Sequence, residues 1–429
     1  MKTLQLFPSS LAGSIAAPPS KSMAHRLLIA AALAGGGQEA SLVRGLDYSA
    51  DIAATLQALR VLGADIACEG STAHVVGVLR QGFYPAPTVV DCNESGSTLR
   101  LLVPLFSLSG KEVHFGGAAR LYARPQSVYQ SIFAEQKLIF EVSPTGLRLQ
   151  GALRPGDYHV PGDVSSQFIS GLLFALPLLP GDSRLLVAPP LESRSYIELT
   201  REAQRLFGVH SHWQDDYTLL IPGGQQYTPG SHIVEGDWSQ AAVPAVLAAC
   251  ACPDIRLQNL SPTSPQGDRA VLGILQRCGA VAQWQGDTLH LSSPAGLTSP
   301  DEIDLADCPD LGPMLCTLAL FCKGTTRIVN AGRLRIKESD RIAAIETELR
   351  KLGADISSTQ DSITINGGKP LAPGAVFSSH NDHRIVMACA AAALIAGLPA
   401  TIENADAVSK SWPSFFDDIA ALGAKWKEK

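Results

Sequence analysis

The sequence lacks the marks of several protein classes. No stretch approaches the roughly 18 uninterrupted apolar residues of a membrane span. Positive charge is not in excess: 34 Lys and Arg stand against 40 Asp and Glu, a net charge of -6. This balance argues against a general nucleic-acid or membrane-surface binder, which needs a broad cationic field, so any anion site must be local. Nine cysteines, at 68, 92, 250, 252, 278, 308, 316, 322 and 389, form no C-x-x-C pair. Odd in number and mostly within apolar runs, they read as reduced core thiols of a cytoplasmic protein. Neither a G-x-x-x-x-G-K-[ST] loop nor a dinucleotide-binding fingerprint after a strand is present, which disfavours nucleotide cofactors. Gln5, Pro8, Ser9 and Ser10 break the N-terminal stretch before it becomes a signal peptide, so export is not expected. Pro and Gly are scattered rather than gathered into one linker, and composition alone marks no domain boundary. What the chain does have is 429 residues, 46% of them apolar and only 17% charged. That is enough for a large core, and two domains are the default expectation.

Six small polar clusters each stand directly before an Ala/Leu-rich run. They are Ser20-Lys21-Ser22, Asn93 to Thr98, Asp163 to Gln167, Asp237-Trp238-Ser239-Gln240, Asp307-Cys308-Pro309-Asp310 and Asn381-Asp382-His383-Arg384. With Lys21, Ser95, Ser165, Ser239, Asp310 and His383 as markers, the steps are 74, 70, 74, 71 and 73 residues. A period this even indicates sixfold duplication. Out of phase with it runs an amphipathic helix closed by Gly-Ala or a substitute, as at Gly63-Ala64 and Gly353-Ala354, with related endings at Gly208, Gly279 and Gly423. The copy near Gln136-Lys137 lacks the Gly and is a repeat by spacing only.

Each unit therefore reads as strand, Ala-rich helix, strand, amphipathic helix, strand, strand. The runs at 172–176, 245–249 and 385–394 are apolar nearly all round, which predicts helices buried inside a domain with sheets outside. Buried helices whose N-termini gather on one side sum their partial positive charge, so two such domains facing each other would trap an anion.

Fixed cations sharpen that expectation. Lys21 and Arg26 sit at the start of the first buried helix, which Pro18-Pro19-Ser20 fixes. Arg120 and Arg124 flank 121–123, a pair that is weak evidence alone. Ser165-Ser166-Gln167 suits either a phosphate or a plain helix cap, and Ser193-Arg194-Ser195-Tyr196 is equally ambiguous. The densest signal is Arg333 to Arg341, where cations and carboxylates interleave before the stripe Ile342, Ile345, Leu349 and Leu352. Such a cluster can bind an anion and move a proton. Asn381 to Arg384 sets an imidazole beside a guanidinium at a buried helix start. His210 and His212 share a strand face without a third ligand, so no metal site is expected there.

These residues resemble the enolpyruvyl transferases, and within them the branch that acts on shikimate 3-phosphate. The resemblance covers essentially the whole chain. It rests on Pro19-Ser20-Lys21-Ser22 with Arg26, Asn93 with Gly96 and Arg100, Arg124-Pro125, Ser165-Ser166-Gln167, Glu235-Gly236-Asp237, Pro309-Asp310, Lys337 to Arg341, Asn381 to Arg384 and Lys410. The sister branch that uses UDP-N-acetylglucosamine fits less well, because it carries Lys-Asn where this chain has Lys21-Ser22, and a cysteine in the loop running here from Gly116 to Arg124. Arg333 stands where bacterial relatives often have Asn, and Ser97 and Leu101 replace a common Thr and Pro. A non-catalytic anion-binding relative is the alternative of another class.

The resemblance implies an α/β fold: a two-domain inside-out α/β barrel, each domain three repeats with buried parallel helices and outer sheets. Residues 1–16 with 236–429 would form one domain and 17–235 the other, joined by a double crossover, with the active site in the cleft between them. By the same resemblance Lys21, Ser22, Arg26, Ser165, Ser166, Gln167, Ser193, Tyr196, Asp310 and Lys337 would hold shikimate 3-phosphate. Lys21, Asn93, Gly96, Arg124, Gln167, Arg341, Arg384 and Lys410 would hold phosphoenolpyruvate. Asp310 and Glu338 are the expected base and acid, with Lys21 and His383 assisting. No metal or organic cofactor is implied, and a monomer is expected.

Overall fold

The protein is described by a computed structural model covering residues 2–35, 39–78, 88–251 and 254–429. The chain separates into two compact units, Met1–Pro18 with Gly236–Lys429, and Pro19–Glu235. The boundary falls two residues later than the sequence suggests, because Pro18 still accepts from the Asp237 amide while Ser20 donates to Glu235.

Among the described residues the repeated unit is a four-stranded sheet, and there are six of them. In the repeat of residues 88–150, strand Thr88–Asp91 lies parallel to Val113–Gly116 across the buried helix Gly96–Ser107. The second strand then pairs antiparallel with Gly146–Gln150, which pairs with Ile139–Ser143. A helix between two parallel strands runs back against both, so its N-terminus emerges at the strands' C-terminal ends.

Three sheets take a strand that is distant in sequence. Leu4–Phe7 inserts antiparallel between Ala400–Glu403 and Lys425–Glu428. Gly13–Ala16 lies parallel to Ile255–Gln258, and Ser231–Ile233 lies parallel to Ser41–Arg44. Each unit is thereby closed on itself.

The helices that lack a polar face are the buried ones. Lys21–Leu33, Gly96–Ser107, Ser166–Ala175, Trp238–Cys250, Gly312–Phe321 and His383–Ala396 are buried along nearly their whole length. Five are N-capped by the side chain of Ser20, Ser95, Ser165, Asp237 or Asp382. Gly312–Phe321 is entered instead through the 3-10 turn Pro309–Leu311, which carries Asp310. The amphipathic helices close on left-handed residues, Gly63 at φ 117° and Gly353 at φ 80° among them. In the degenerate repeat this place is taken by Lys137 at φ 59°.

Cys92, Cys278, Cys308, Cys316, Cys322 and Cys389 are buried free thiols, as the apolar runs predict. Cys68 is not: it is exposed on the strand Asp65–Glu69, most of which faces outward. Cys250 ends its helix half-buried, and Cys252 lies outside the described residues.

Candidate active site

In the unit Met1–Pro18 with Gly236–Lys429, three buried helices begin at one place. Arg384, in the first turn of His383–Ala396, donates through Nη2 to Ser239 Oγ at the start of Trp238–Cys250 and to Asp310 Oδ2 before Gly312–Phe321, each at 3.0 Å. Its Nη1 reaches the Asp310 carbonyl at 3.0 Å. The helix starts therefore converge through side chains of their first turns and of the 3-10 turn before Gly312.

Arg341 joins the carboxylates. Its side chain is 1% exposed and donates to Asp310 Oδ1 at 3.0 Å, Glu338 Oε2 at 2.5 Å and Asp382 Oδ2 at 2.8 Å. Burial alone would lower its affinity for a proton, but Asp382, Glu338 and Asp310 together raise it above the ordinary arginine value. Asp382 is fully buried, and burial would raise its carboxyl; the Arg341 guanidinium outweighs that and holds it below the usual aspartate value. Asp382 also accepts from Ser339 Oγ and the Arg384 amide at 3.0 Å each. Lys337 Nζ lies 3.3 Å from Asp310 Oδ1. Burial lowers its ammonium below the ordinary lysine value, Arg333 and Arg341 push the same way, and Asp310 opposes them.

The loop carrying Lys337 and Glu338 is pinned from outside by Arg335, which donates to the Gln360 carbonyl at 3.0 Å, to Thr359 O at 2.5 Å and to Asp340. Lys410 Nζ donates to the Asn381 carbonyl at 2.7 Å. His383 is buried, with Nδ1 3.8 Å from Asp382 Oδ1.

The unit Pro19–Glu235 gathers its helix starts in the same manner. Gln167 Nε2 donates to Ser97 Oγ at 3.0 Å, and Gln167 Oε1 accepts from Arg100 Nη1 at 3.1 Å, tying Ser166–Ala175 to Gly96–Ser107. Arg100 also holds the Pro125 carbonyl at 3.0 Å and lies over the Phe168 ring. Arg124 packs so closely on Gly96 that a Cβ there would stand 2.5 Å from its Nη1. Its Nε is buried with no hydrogen-bond partner among the described residues. A guanidinium lying on a helix N-terminus with that donor unspent is chemically suited to an anion.

Lys21 Nζ pairs with Asp51 Oδ2 at 2.8 Å, both mostly buried. Arg26, buried, spends four of its five N–H groups on neutral acceptors: Thr200 Oγ1, the Ser22 carbonyl, Ser170 Oγ and the Tyr196 carbonyl. Burial lowers it to about 10. It thus braces Ser22 and Tyr196 more than it projects toward a ligand. Ser193, buried and left-handed at φ 54°, opens the helix Arg194–Leu206 that bears Tyr196. Asn93, at φ 51°, takes the Asp91 carboxylate on its amide at 2.8 Å.

The structure thus brings Asp310, Lys337, Glu338, Arg341 and Arg384 into one network, and links Gly96 with Arg124 and Gln167 with Ser97. Asp382 and Ser239 belong to the first network, Arg335 braces its loop and Asp51 pairs with Lys21, and none of the four was among the candidate residues. In sequence Asp382 is indistinguishable from an ordinary helix cap, and Ser239 from an ordinary first-turn serine. His210 precedes the short strand His212–Trp213, and no group of three or more His, Cys, Asp or Glu among the described residues could hold a metal ion.

A family model for EPSP synthase (3-phosphoshikimate 1-carboxyvinyltransferase) matches residues 7–419. A protein of Clostridium botulinum named 3-phosphoshikimate 1-carboxyvinyltransferase is 41% identical over 433 aligned residues, covering 100% of this chain and 99% of its own. Its namesake in Clostridium perfringens strain 13 is 42% identical with full coverage of both chains. The solved EPSP synthase of Acinetobacter baumannii superposes with a TM-score of 0.80 at 24% identity, covering 100% of each chain, and shows the same two-domain inside-out α/β fold. The chain belongs to the EPSP synthase family.

Proposed function

We propose that this protein transfers the enolpyruvyl group of phosphoenolpyruvate to the 5-hydroxyl of shikimate 3-phosphate, with release of phosphate, in the pathway to chorismate and the aromatic amino acids. The full-length likeness to proteins of that name supports the reaction. The observation that carries it to residues is the Asp310–Glu338 carboxylate pair set among Lys337, Arg341 and Arg384. Mere anion binding has no use for two carboxylates among the cations, whereas the reaction needs two proton carriers.

Each substrate bears a phosphate and a carboxylate. Lys21, Gly96, Arg124, Gln167, Arg341, Arg384 and Lys410, with Asn93 shaping the loop, take phosphoenolpyruvate. Ser22, Ser165, Ser166, Ser193, Tyr196 and Lys337 take shikimate 3-phosphate, with Arg26 holding two of them in place. Glu338 gives a proton to the methylene carbon while the 5-hydroxyl oxygen bonds to the neighbouring carbon and passes its proton to Asp310. The tetrahedral intermediate then returns a methyl proton to the Glu338 carboxylate as the carbon–oxygen bond to phosphate breaks, restoring the double bond, and the proton held by Asp310 leaves with the phosphate. Lys21 and His383 assist, and the cations stabilise the departing phosphate. A cytoplasmic monomer fits this role; no helix among the described residues is long and apolar enough to cross a membrane.

The test is Glu338→Gln. Calorimetric affinity for shikimate 3-phosphate should stay within about twofold, while phosphate release falls by about 100-fold or more, the usual scale for a lost acid. Unaltered turnover would remove Glu338 from the chemistry.

A further inference from the structure

Glu348 is a buried carboxylate that the reaction does not use. It stands seven residues after Arg341 on the helix Arg341–Arg350, close to two turns on, so both side chains leave one face. Arg341 points into the carboxylate network. Glu348, with its side chain 1% exposed, grips the loop that leads there: Oε2 accepts from the Ser378 amide at 2.8 Å and from Lys351 Nζ at 2.7 Å. Its Oε1 lies 2.8 Å from His380 Nε2. Burying a carboxylate costs free energy even when it is paired, so helix stability alone does not account for this choice.

What the grip holds is unusual backbone. His380 and Asn381 are successive non-glycine residues in the left-handed region, at φ 49° and 54°, a conformation that side chains with a Cβ disfavour. Ser379 steadies the turn, its hydroxyl accepting from the Asn381 amide at 3.1 Å and its carbonyl from the Asp382 amide at 2.9 Å. The turn aims the Asn381 carbonyl at Lys410 Nζ and delivers Asp382 to Arg341 and Arg384 to Asp310. One rigid helix therefore fixes the loop at both ends, through Glu348 at Ser378 and His380 and through Arg341 at Asp382.

We propose that Glu348 is a positioning residue for the phosphoenolpyruvate side of the site, holding the 378–381 turn so that Lys410 and Arg384 stay in place. This rests on the reading of Lys410 and Arg384 as phosphoenolpyruvate cations. In the full-length protein, Glu348→Gln should raise KM for phosphoenolpyruvate about tenfold, as expected for a misplaced binding group, and leave KM for shikimate 3-phosphate within about twofold. His380→Ala removes the partly exposed end of the same pair without opening the core, and should move the same KM in the same direction by about threefold. If Glu348→Gln does not fold, His380→Ala decides. Equal changes in both KM values, or a fall in thermal midpoint with neither KM altered, would overturn the proposal. Lys410→Met separates the two layers. A raised phosphoenolpyruvate KM in Lys410→Met with none in the Glu348 and His380 variants removes Glu348 and leaves the subsite standing, whereas an unchanged KM in Lys410→Met removes the subsite reading itself.

Discussion

Arg124 and Gly96 make the sharpest prediction at the scale of single residues. A methyl group at position 96 would meet Arg124 Nη1 at 2.5 Å and Cζ at 2.9 Å, so the guanidinium must swing off the helix N-terminus. Gly96→Ala should leave the fold intact, because only the end of a flexible side chain has to move. It should raise KM for phosphoenolpyruvate by about tenfold or more, the range for one misplaced methyl in a pocket. Steady-state kinetics with shikimate 3-phosphate saturating would read this, and an unchanged KM would separate Arg124 from the subsite. Lys337 offers a pH test. Its ammonium is depressed below the ordinary lysine value, chiefly by burial and further by Arg333 and Arg341, against Asp310 and Glu338. A lysine that must stay charged to hold a phosphate then loses its proton earlier as pH rises, and kcat/KM for shikimate 3-phosphate falls on the alkaline side. Lys337→Arg should move that alkaline limb upward even where the overall rate drops, since the guanidinium keeps its proton. A limb that does not move would assign it to another group. The candidate residues legible in the sequence were those of a type that seldom stands before an apolar run, Lys21, Arg341, His383 and Arg384 among them. The second roles of Asp382 and Ser239 were not legible, because a carboxylate that caps a helix and one that also orders an arginine are written with the same letter, and a first-turn serine does not announce that its hydroxyl takes a guanidinium from another helix.

The elements were easier to read than the residues, and for a local reason. A capping side chain followed by a mostly apolar run is a signal carried within one turn and its sequel. The helix starts at Ser20, Ser95, Ser165, Asp237 and Asp382 follow it. The helix ends were legible wherever Gly supplies the left-handed closing residue, and the one gap in that series yields a stability prediction. Lys137 adopts φ 59° where its counterparts have Gly, and its side chain is exposed on the surface. A non-glycine residue pays for that conformation, so Lys137→Gly should stabilise the unit Pro19–Glu235 by about 1 kcal/mol, reduced by the greater freedom glycine gives the unfolded chain. Urea unfolding followed by far-ultraviolet ellipticity would show a higher midpoint with unchanged slope. A lower midpoint would mean that the lysine side chain makes a compensating contact worth more than the backbone strain.

Closure of each unit depends on strand pairings that no local pattern encodes. Leu4–Phe7 pairs with residues some 400 positions away, and nothing in its four residues names a partner; only the likeness to a family with a double crossover anticipated it. The consequence is that a few N-terminal residues carry disproportionate weight in one unit and none in the other. Leu6 has no exposed surface, and its Cα partners are Ala400 on one side and Trp426 on the other. Leu6→Ala should cost about 3 kcal/mol, within the range for a buried leucine truncated to a cavity. The two units can be followed apart, since Trp238, Trp284, Trp412 and Trp426 all lie in the unit that contains Leu6, while Trp213 alone lies in Pro19–Glu235. In denaturant, the transition seen by tryptophan fluorescence should therefore move to lower concentration in Leu6→Ala. Near-ultraviolet and fluorescence signals from a second variant, Leu6→Ala with Trp213 as the only tryptophan, should keep the parent midpoint. Should both transitions shift together by the same amount, the units unfold as one cooperative body, and the N-terminal strand stabilises the whole chain rather than the sheet it completes.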